Sequence, residues 1–460
     1  MASRRSLVVI VACALLVVAC TGTTGTAVDP MAPPDVFAST PTIGEFSPAT
    51  TAGPVPTRPP EIETTEILPV DPLTLQPRAG HDPIPMGDWM WGQPSPDGGY
   101  LAALVGSNDG TSELRLVDIA NWRVEGLWAQ SPESGMLVTD EGIVYMVGSG
   151  QFQRLRLGDT VPEEVARLPS GFQPWSIGSL FDNALVTYGT RFQSGESASI
   201  VAIDVTTGAM NEIELPDVRV GQLDPESNAP EDIYINPFPV FDIAGNRALV
   251  VHGDEDVISE IDLATGEVSR HEFDGALAAD PGTPTVERSA AVSPEGDILY
   301  VSGRKVTGNE VSADSHTVIV GPAGVIAIDT ATWEVRSQSD EPIAHIMLSP
   351  RGDRILGWGF STVEGNNEYR AKSNGVFVVD APSLTVLSRH HSDEESVWYT
   401  SFSFNAAGDI GYASGWGQEA RLEAIDLTSG EIVASLEGGD NLSMVGPIGV
   451  LHADAGTITP

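Results

Sequence analysis

The chain has 460 residues, with 64 acidic against 23 basic side chains, a formal net charge of −41 and two cysteines. That balance excludes a basic groove for nucleic acid, because the phosphate backbone would be repelled. An anionic membrane surface would repel the folded part for the same reason, and acidic surface aids solubility. With so few thiols, a disulfide framework, a zinc–thiolate cluster and a redox pair are excluded too.

In chain order, Met1–Ala19 has the layout of an export signal: Arg4 and Arg5, an apolar run from Leu7 to Val18, then a small residue. The run is too short for a membrane-spanning helix. It ends Val17-Val18-Ala19-Cys20, which resembles a bacterial lipobox. The resemblance implies a diacylated Cys20 as the first mature residue, hence an extracytoplasmic protein held at the cell membrane by lipid. Ser3-Arg4-Arg5-Ser6-Leu7-Val8 also resembles a twin-arginine signal, so the export route stays open. Cys20–Thr65 is rich in Thr, Pro, Ala and Gly, cannot bury enough apolar surface to fold, and reads as a tether. Its root-mean-square reach is on the order of 35 Å if flexible. The remaining stretch, Glu66–Pro460, is ample for a core that needs no disulfide.

Two hairpin patterns alternate along that stretch. One turns at an aspartate after a short apolar run, as in Ile200-Val201-Ala202-Ile203-Asp204-Val205-Thr206-Thr207, where the carboxylate can bond nearby backbone N–H groups. Its copies turn at Asp71, Asp118, a degenerate Asp159, Asp204, Asp262, Asp329, Asp380 and Asp426. The other turns at Ser95-Pro96-Asp97-Gly98, Ser293-Pro294-Glu295-Gly296 and Ser349-Pro350-Arg351-Gly352, with looser copies near Asp140, Asp182, Gly245, Gly408 and Asp454. Repeats of about 40–60 residues with four short strands predict an all-β protein, a β-propeller. The stretch starts with a second hairpin, Ile67–Gln76, and ends with a first hairpin, Val445–Thr459. The phase predicts eight blades with one shared between the chain ends, or seven if the last segment packs on an edge. These turns resemble the propeller repeats of the YVTN and WD40-like superfamily; the Gly-His and Trp-Asp dipeptides of WD40 repeats are missing.

In a four-stranded blade the two hairpin turns lie on one face of the disc and all other connections on the opposite face. The longest segments, Ser302–Pro322, Phe360–Asn374, Pro216–Asn236 and Asp274–Val286, all belong to the second face, as expected of a binding surface. Trp89, Trp91, Trp175, Phe238, His345, Trp398 and Tyr399 fall near the starts of inner strands on that face. Such aromatics suit sugars, peptides or apolar ligands, and equally serve as wedges between blades.

Candidate chemistry is sparse. No histidine pair has zinc spacing, and no nucleophile elbow, phosphate loop or dinucleotide fingerprint occurs. Ser302-Gly303-Arg304-Lys305 fits Ser-x-x-Lys without the motifs that accompany it in β-lactamases. No cofactor is expected, except that the carboxylates of Asp254-Glu255-Asp256 and Asp393-Glu394-Glu395 could take Ca²⁺. The expected protein is a non-catalytic binding or assembly module whose partner is an envelope protein or small ligand. The alternative is a propeller hydrolase or lactonase with a metal at its central channel.

Overall fold

A computed structural model describes residues 65–87, 89–106, 112–128, 135–148, 150–181, 183–191, 197–222, 234–274, 277, 285–311, 316–365, 368–392, 397–417, 421–437, 442–445 and 450–454. The expected signal, Cys20 and the tether up to Thr64 lie outside them, as does Asp393-Glu394-Glu395; Thr65, the last residue expected in the tether, is already in a strand.

The described residues form strands and no helix. Strands β1 (Thr65–Pro69) and β2 (Ile84–Gly87) open the chain. One four-stranded unit follows as β3 (Trp89–Pro94), β4 (Tyr100–Gly106), β5 (Ser112–Asp118) and β6 (Arg123–Trp128). The next is β7 (Gly135–Val138), β8 (Val144–Gly148), β9 (Gln151–Leu155) and β10 (Glu163–Arg167). Then come β11 (Phe172–Phe181), β12 (Ala184–Arg191), β13 (Ser197–Asp204) and β14 (Met210–Arg219). A two-stranded ribbon, β15 (Gly221–Gln222) and β16 (Tyr234–Ile235), precedes β17 (Phe238–Asp242), β18 (Arg247–Val251), β19 (Val257–Asp262) and β20 (Val268–Glu272).

Five strands follow: β21 (Thr285–Val292), β22 (Ile298–Val311), β23 (His316–Pro322), β24 (Val325–Asp329) and β25 (Val335–Ser339). After them come β26 (His345–Leu348), β27 (Arg354–Gly365), β28 (Glu368–Asp380) and β29 (Thr385–His390). The last whole unit is β30 (Val397–Phe404), β31 (Ile410–Gly417), β32 (Arg421–Asp426) and β33 (Ile432–Glu437). Strands β34 (Leu442–Val445) and β35 (Val450–Asp454) end the chain and join β1 and β2 in the order β2-β1-β35-β34.

This is a β-propeller of four-stranded antiparallel blades. Counted as separate hydrogen-bonded sheets of four or more strands the ring has seven blades, because one sheet has nine strands. That sheet contains two four-stranded units, β21-β22-β24-β25 and β26-β27-β28-β29, fused through β23. The seven therefore arises from fusion of two repeats. It does not arise from a terminal segment packed on an edge, since β35 pairs with β1 from Thr65↔Asp454 to Pro69↔Val450.

Burial explains the pattern. The second strand of a unit is covered on both faces, so β4 and β18 read as apolar runs, while the outermost β29 alternates between exposed and half-buried positions. Apolar clusters fill the spaces between neighbours. One joins Val186, Tyr188 and Ile200 of one unit to Phe241, Val250 and Ile261 of the next. Another joins Leu68 and Met444 of the closing sheet to Tyr412 and Leu422. Each fully buried side chain of this kind stabilises by about 1.5–3 kcal/mol.

The aspartate turns hold as the sequence implies. Asp204 Oδ1 accepts from the N–H groups of Thr206 and Thr207 at 2.9 and 2.8 Å, and Asp71, Asp262, Asp329 and Asp426 repeat the arrangement. Asp159 differs: its carboxylate accepts from the Arg156 N–H upstream, and the third residue after it, Pro162, has no N–H to donate. In most of the other described hairpins a Ser, Thr or Asn side chain bridges the turn; the Ile298 N–H donates to Ser293 Oγ, the Ile143 N–H to Thr139 Oγ1 and the Ile410 N–H to Asn405 Oδ1, while at Gly245 the acceptor is Asp242.

Candidate interaction face

Two of the four long segments expected as loops are strands. Strand β22 runs on past the body of its sheet to Val311, and β23 returns along it from Val311↔His316 to Arg304↔Pro322. The next unit does the same, with β27 and β28 paired from Arg354↔Asp380 out to Gly365↔Glu368. The two extensions then zip together, Thr317↔Gly365 to Val320↔Thr362, giving a ribbon on the long-connection face that spans two repeats. Backbone pairing won over weak local propensity here: Thr307-Gly308-Asn309-Glu310 has no apolar alternation to announce a strand. A third long segment carries the β15–β16 ribbon.

At the foot of the ribbon lies a run of stacked rings. His345, the first residue of β26, stacks on Trp358 and Phe360 of β27 with centroids 5.3 and 5.7 Å apart. Trp358 stacks on Phe402 of β30 at 3.9 Å, and the Arg304 guanidinium covers Phe360 at 4.5 Å. Burial pushes the His345 imidazole below its ordinary range. The remaining expected face residues are dispersed. Trp91 is exposed at 37 %. Trp175 packs edge-on to Tyr188 at 6.5 Å, and Phe238 lies against an inter-blade cluster. The side chains of Trp89 and Trp398 lie outside the described residues.

Tyr399 is buried and belongs to a polar latch that sequence reasoning missed. Its hydroxyl donates to Glu423 Oε2 at 3.1 Å, and His391 Nε2 lies 2.8 and 3.0 Å from the two oxygens of the same carboxylate. The Arg421 guanidinium lies 3.4 Å from His391 Nδ1. Glu423 is 2 % exposed, so these partners supply the hydrogen bonds that water cannot. His391 has φ 56°, a left-handed backbone that costs a non-glycine residue on the order of 1–3 kcal/mol. The apolar character of Leu422 and Ala424 on either side gives no sign that Glu423 points inward.

A second buried hub is Arg288 of β21, whose guanidinium donates to the carbonyls of His252, Leu277 and Glu255. It pins the connection 252–256 to the following unit. The three carboxylates there each face a guanidinium: Asp254 and Arg219 at 3.4 Å, Glu255 and Arg270 at 2.9 Å, Asp256 and Arg288 at 3.9 Å. Their charge is already met by arginine, which disfavours a cation at that cluster. Among the described residues, no three His, Cys, Asp or Glu side chains gather as a metal would need.

The sequence matches no protein-family model and no curated relative. Solved structures of similar fold include an oligogalacturonate lyase in complex with manganese, at 14% identity over 79% of this chain and 88% of that one, with a TM-score of 0.45. The propeller domain of Cps50 (Swd1) from Myceliophteria thermophila is 12% identical over 76% and 98%, with a TM-score of 0.44. TolB from Acinetobacter baumannii is 13% identical over 75% and 77%, with a TM-score of 0.32. At such values they carry no argument about activity, and propellers serve many unrelated tasks.

Proposed function

We propose that this is an exported propeller, anchored by lipid at Cys20, that binds a partner through its long-connection face without transforming it. The observation that carries the reading is the zipped ribbon: two neighbouring repeats extend the same connection and pair the extensions together. Backbone raised above a disc in this way adds surface while adding little core, which suits recognition. Trp91 and the ring stack at His345 belong to the proposed surface; Trp175, Phe238 and Tyr399 support it from below. The metal-dependent hydrolase alternative has no described donor set behind it, and no specific observation favours it.

Two measurements test this. Cys20→Ser should release the protein from the membrane fraction or leave it unprocessed; unchanged fractionation and mature mass would overturn the anchor. For the face, 307–319 and 363–370 are each replaced by a two-residue turn. The pairs Val306↔Val320 and Thr362↔Ala371 remain, so Tm should move by no more than a few degrees. Envelope proteins cross-linked to the parent should be lost. Retention of every partner by the trimmed protein, with loss through changes at turns such as Pro96–Gly98, places recognition on the other face.

A further inference from the structure

Strand β28 carries a bulge where the ribbon leaves the body of its sheet. Gly375 pairs with Gly359 and Ser373 with Phe360, so Asn374 is the extra residue between them. Gly375 has φ 95°, and a Cβ there would meet the His390 carbonyl at 2.3 Å, so the position requires glycine. Asn374-Gly375 is the one Asn-Gly pair in the chain. In such a pair no side chain shields the backbone nitrogen from the preceding side-chain amide.

Three side chains hold this pair in a way that suits attack. The peptide group joining the two residues is one conjugated amide, so charge left on its nitrogen spreads to the Asn374 carbonyl oxygen. Arg389 donates to that oxygen at 3.3 Å, and its guanidinium rests over the Phe377 ring, 5.0 Å from the centroid. A cation fixed on the atom where charge develops lowers the barrier to forming it. The Gly375 N–H donates to Ser373 Oγ at 3.1 Å, within its own strand. The Asn374 side-chain Nδ2 donates across to Ser361 Oγ at 3.4 Å.

We propose that Asn374 is a self-modification site, where the fold promotes cyclisation of its side chain onto Gly375. The Gly375 nitrogen gives up its proton and its electron pair forms a bond to Asn374 Cγ. The Cγ–Nδ2 bond breaks, and Nδ2 leaves as ammonia, the proton from Gly375 ending on it by way of water. A second water then opens the cyclic imide at either carbonyl, leaving an aspartyl or isoaspartyl residue at position 374. Nothing is oxidised or reduced, and solvent water is the one co-reactant. Either product places a carboxylate beside Arg389. The isoaspartyl form also adds a methylene to the main chain at the bulge, which resets how the ribbon leaves the sheet. The site goes beyond the reading of the long-connection face and holds whether or not that face binds a partner.

The test follows the full chain under native conditions at neutral pH, sampled over weeks, with digestion and mass spectrometry of the fragment containing Asn374. A synthetic peptide spanning Ala371–Val379 is the comparison, and Asn405-Ala406 in the same digest is the internal reference. The full chain should convert at Asn374 at least about fivefold faster than the peptide, a smaller gain than an enclosed oxyanion donor gives. Asn405 should stay unmodified over the same period. Arg389→Met should bring conversion down to the rate of the peptide. A parent chain no faster than the peptide overturns the proposal, and needs no variant to fold. Equal rates in parent and Arg389→Met overturn it too, since the fold would then contribute nothing through the held carbonyl.

Discussion

His252 is 1 % exposed, with Nε2 2.9 Å from Ser259 Oγ and Nδ1 3.5 Å from Glu255. Burial first, and the Arg270 charge second, push its pKa down to about 4. The folded value lies below an unfolded one of about 6.5, so the unfolded chain takes up the proton first. The associated stability is complete above about pH 6.5 and is lost as pH falls towards about 4, roughly 3 kcal/mol in all. Asp329, held at about 2 by Arg336 and the N–H groups of Thr332 and Ala331, acts in a separate window. Its contribution is complete above the unfolded carboxylate value near 4 and is lost as pH falls through about 2. His252→Gln should therefore flatten unfolding free energy between about pH 6.5 and 4.5 and leave the lower limb in place. Parallel decline of parent and variant across the upper window would remove His252 as its source. The turn aspartates were legible in the sequence because their partners are local. His252 and Glu423 were not, since their burial depends on units that meet only in three dimensions.

Between elements, the tight turns nest. The Cβ that Gly352 lacks would meet Pro294 Cδ of the preceding unit at 2.6 Å, and φ there is 75°. One turn thus seats the next, which gives the Ser-Pro-x-Gly repeat a packing role as well as a conformational one. Gly352→Ala should cost about 2–3 kcal/mol, combining left-handed strain with the collision. Gly150→Ala, at φ 70° with nothing within 4 Å, has the strain alone and should cost about 1 kcal/mol. Equal losses in chemical denaturation would mean that the turns do not bear on one another. Turn residues and apolar runs made the hairpins readable from the sequence. The ribbon was hidden because β22 beyond Lys305 and β27 beyond Phe360 gain their strand character from each other, through β23.

At the scale of the whole molecule, the ring closes by hydrogen bonds between the two ends of the chain. Five Cα pairs join β1 to β35, Ile67 is fully buried, and Met444 at 5 % exposure packs with Leu68, Val70 and Leu75. The Tyr412 hydroxyl donates to the Pro72 carbonyl at 3.0 Å and ties the adjoining unit to the same seam. The phase of the repeats foretold this shared sheet, although its outer strand is β2 at Ile84–Gly87 and not the segment just after Asp71. Closure removes an edge that β1 would otherwise expose. Met444→Ala should cost about 2–4 kcal/mol by opening a cavity at the seam. Removal of 442–460 should cost more, because it strips two strands and uncovers the β1 edge along with Leu68 and Tyr412. Unfolding should then begin at the seam, with hydrogen exchange at Ile67 and Leu68 quickening well before that at Leu249 or Val250 in the middle of the ring. A truncated chain that melts where the full one does, with Ile67 and Leu68 still protected, would show that the ring stands without its closing strands.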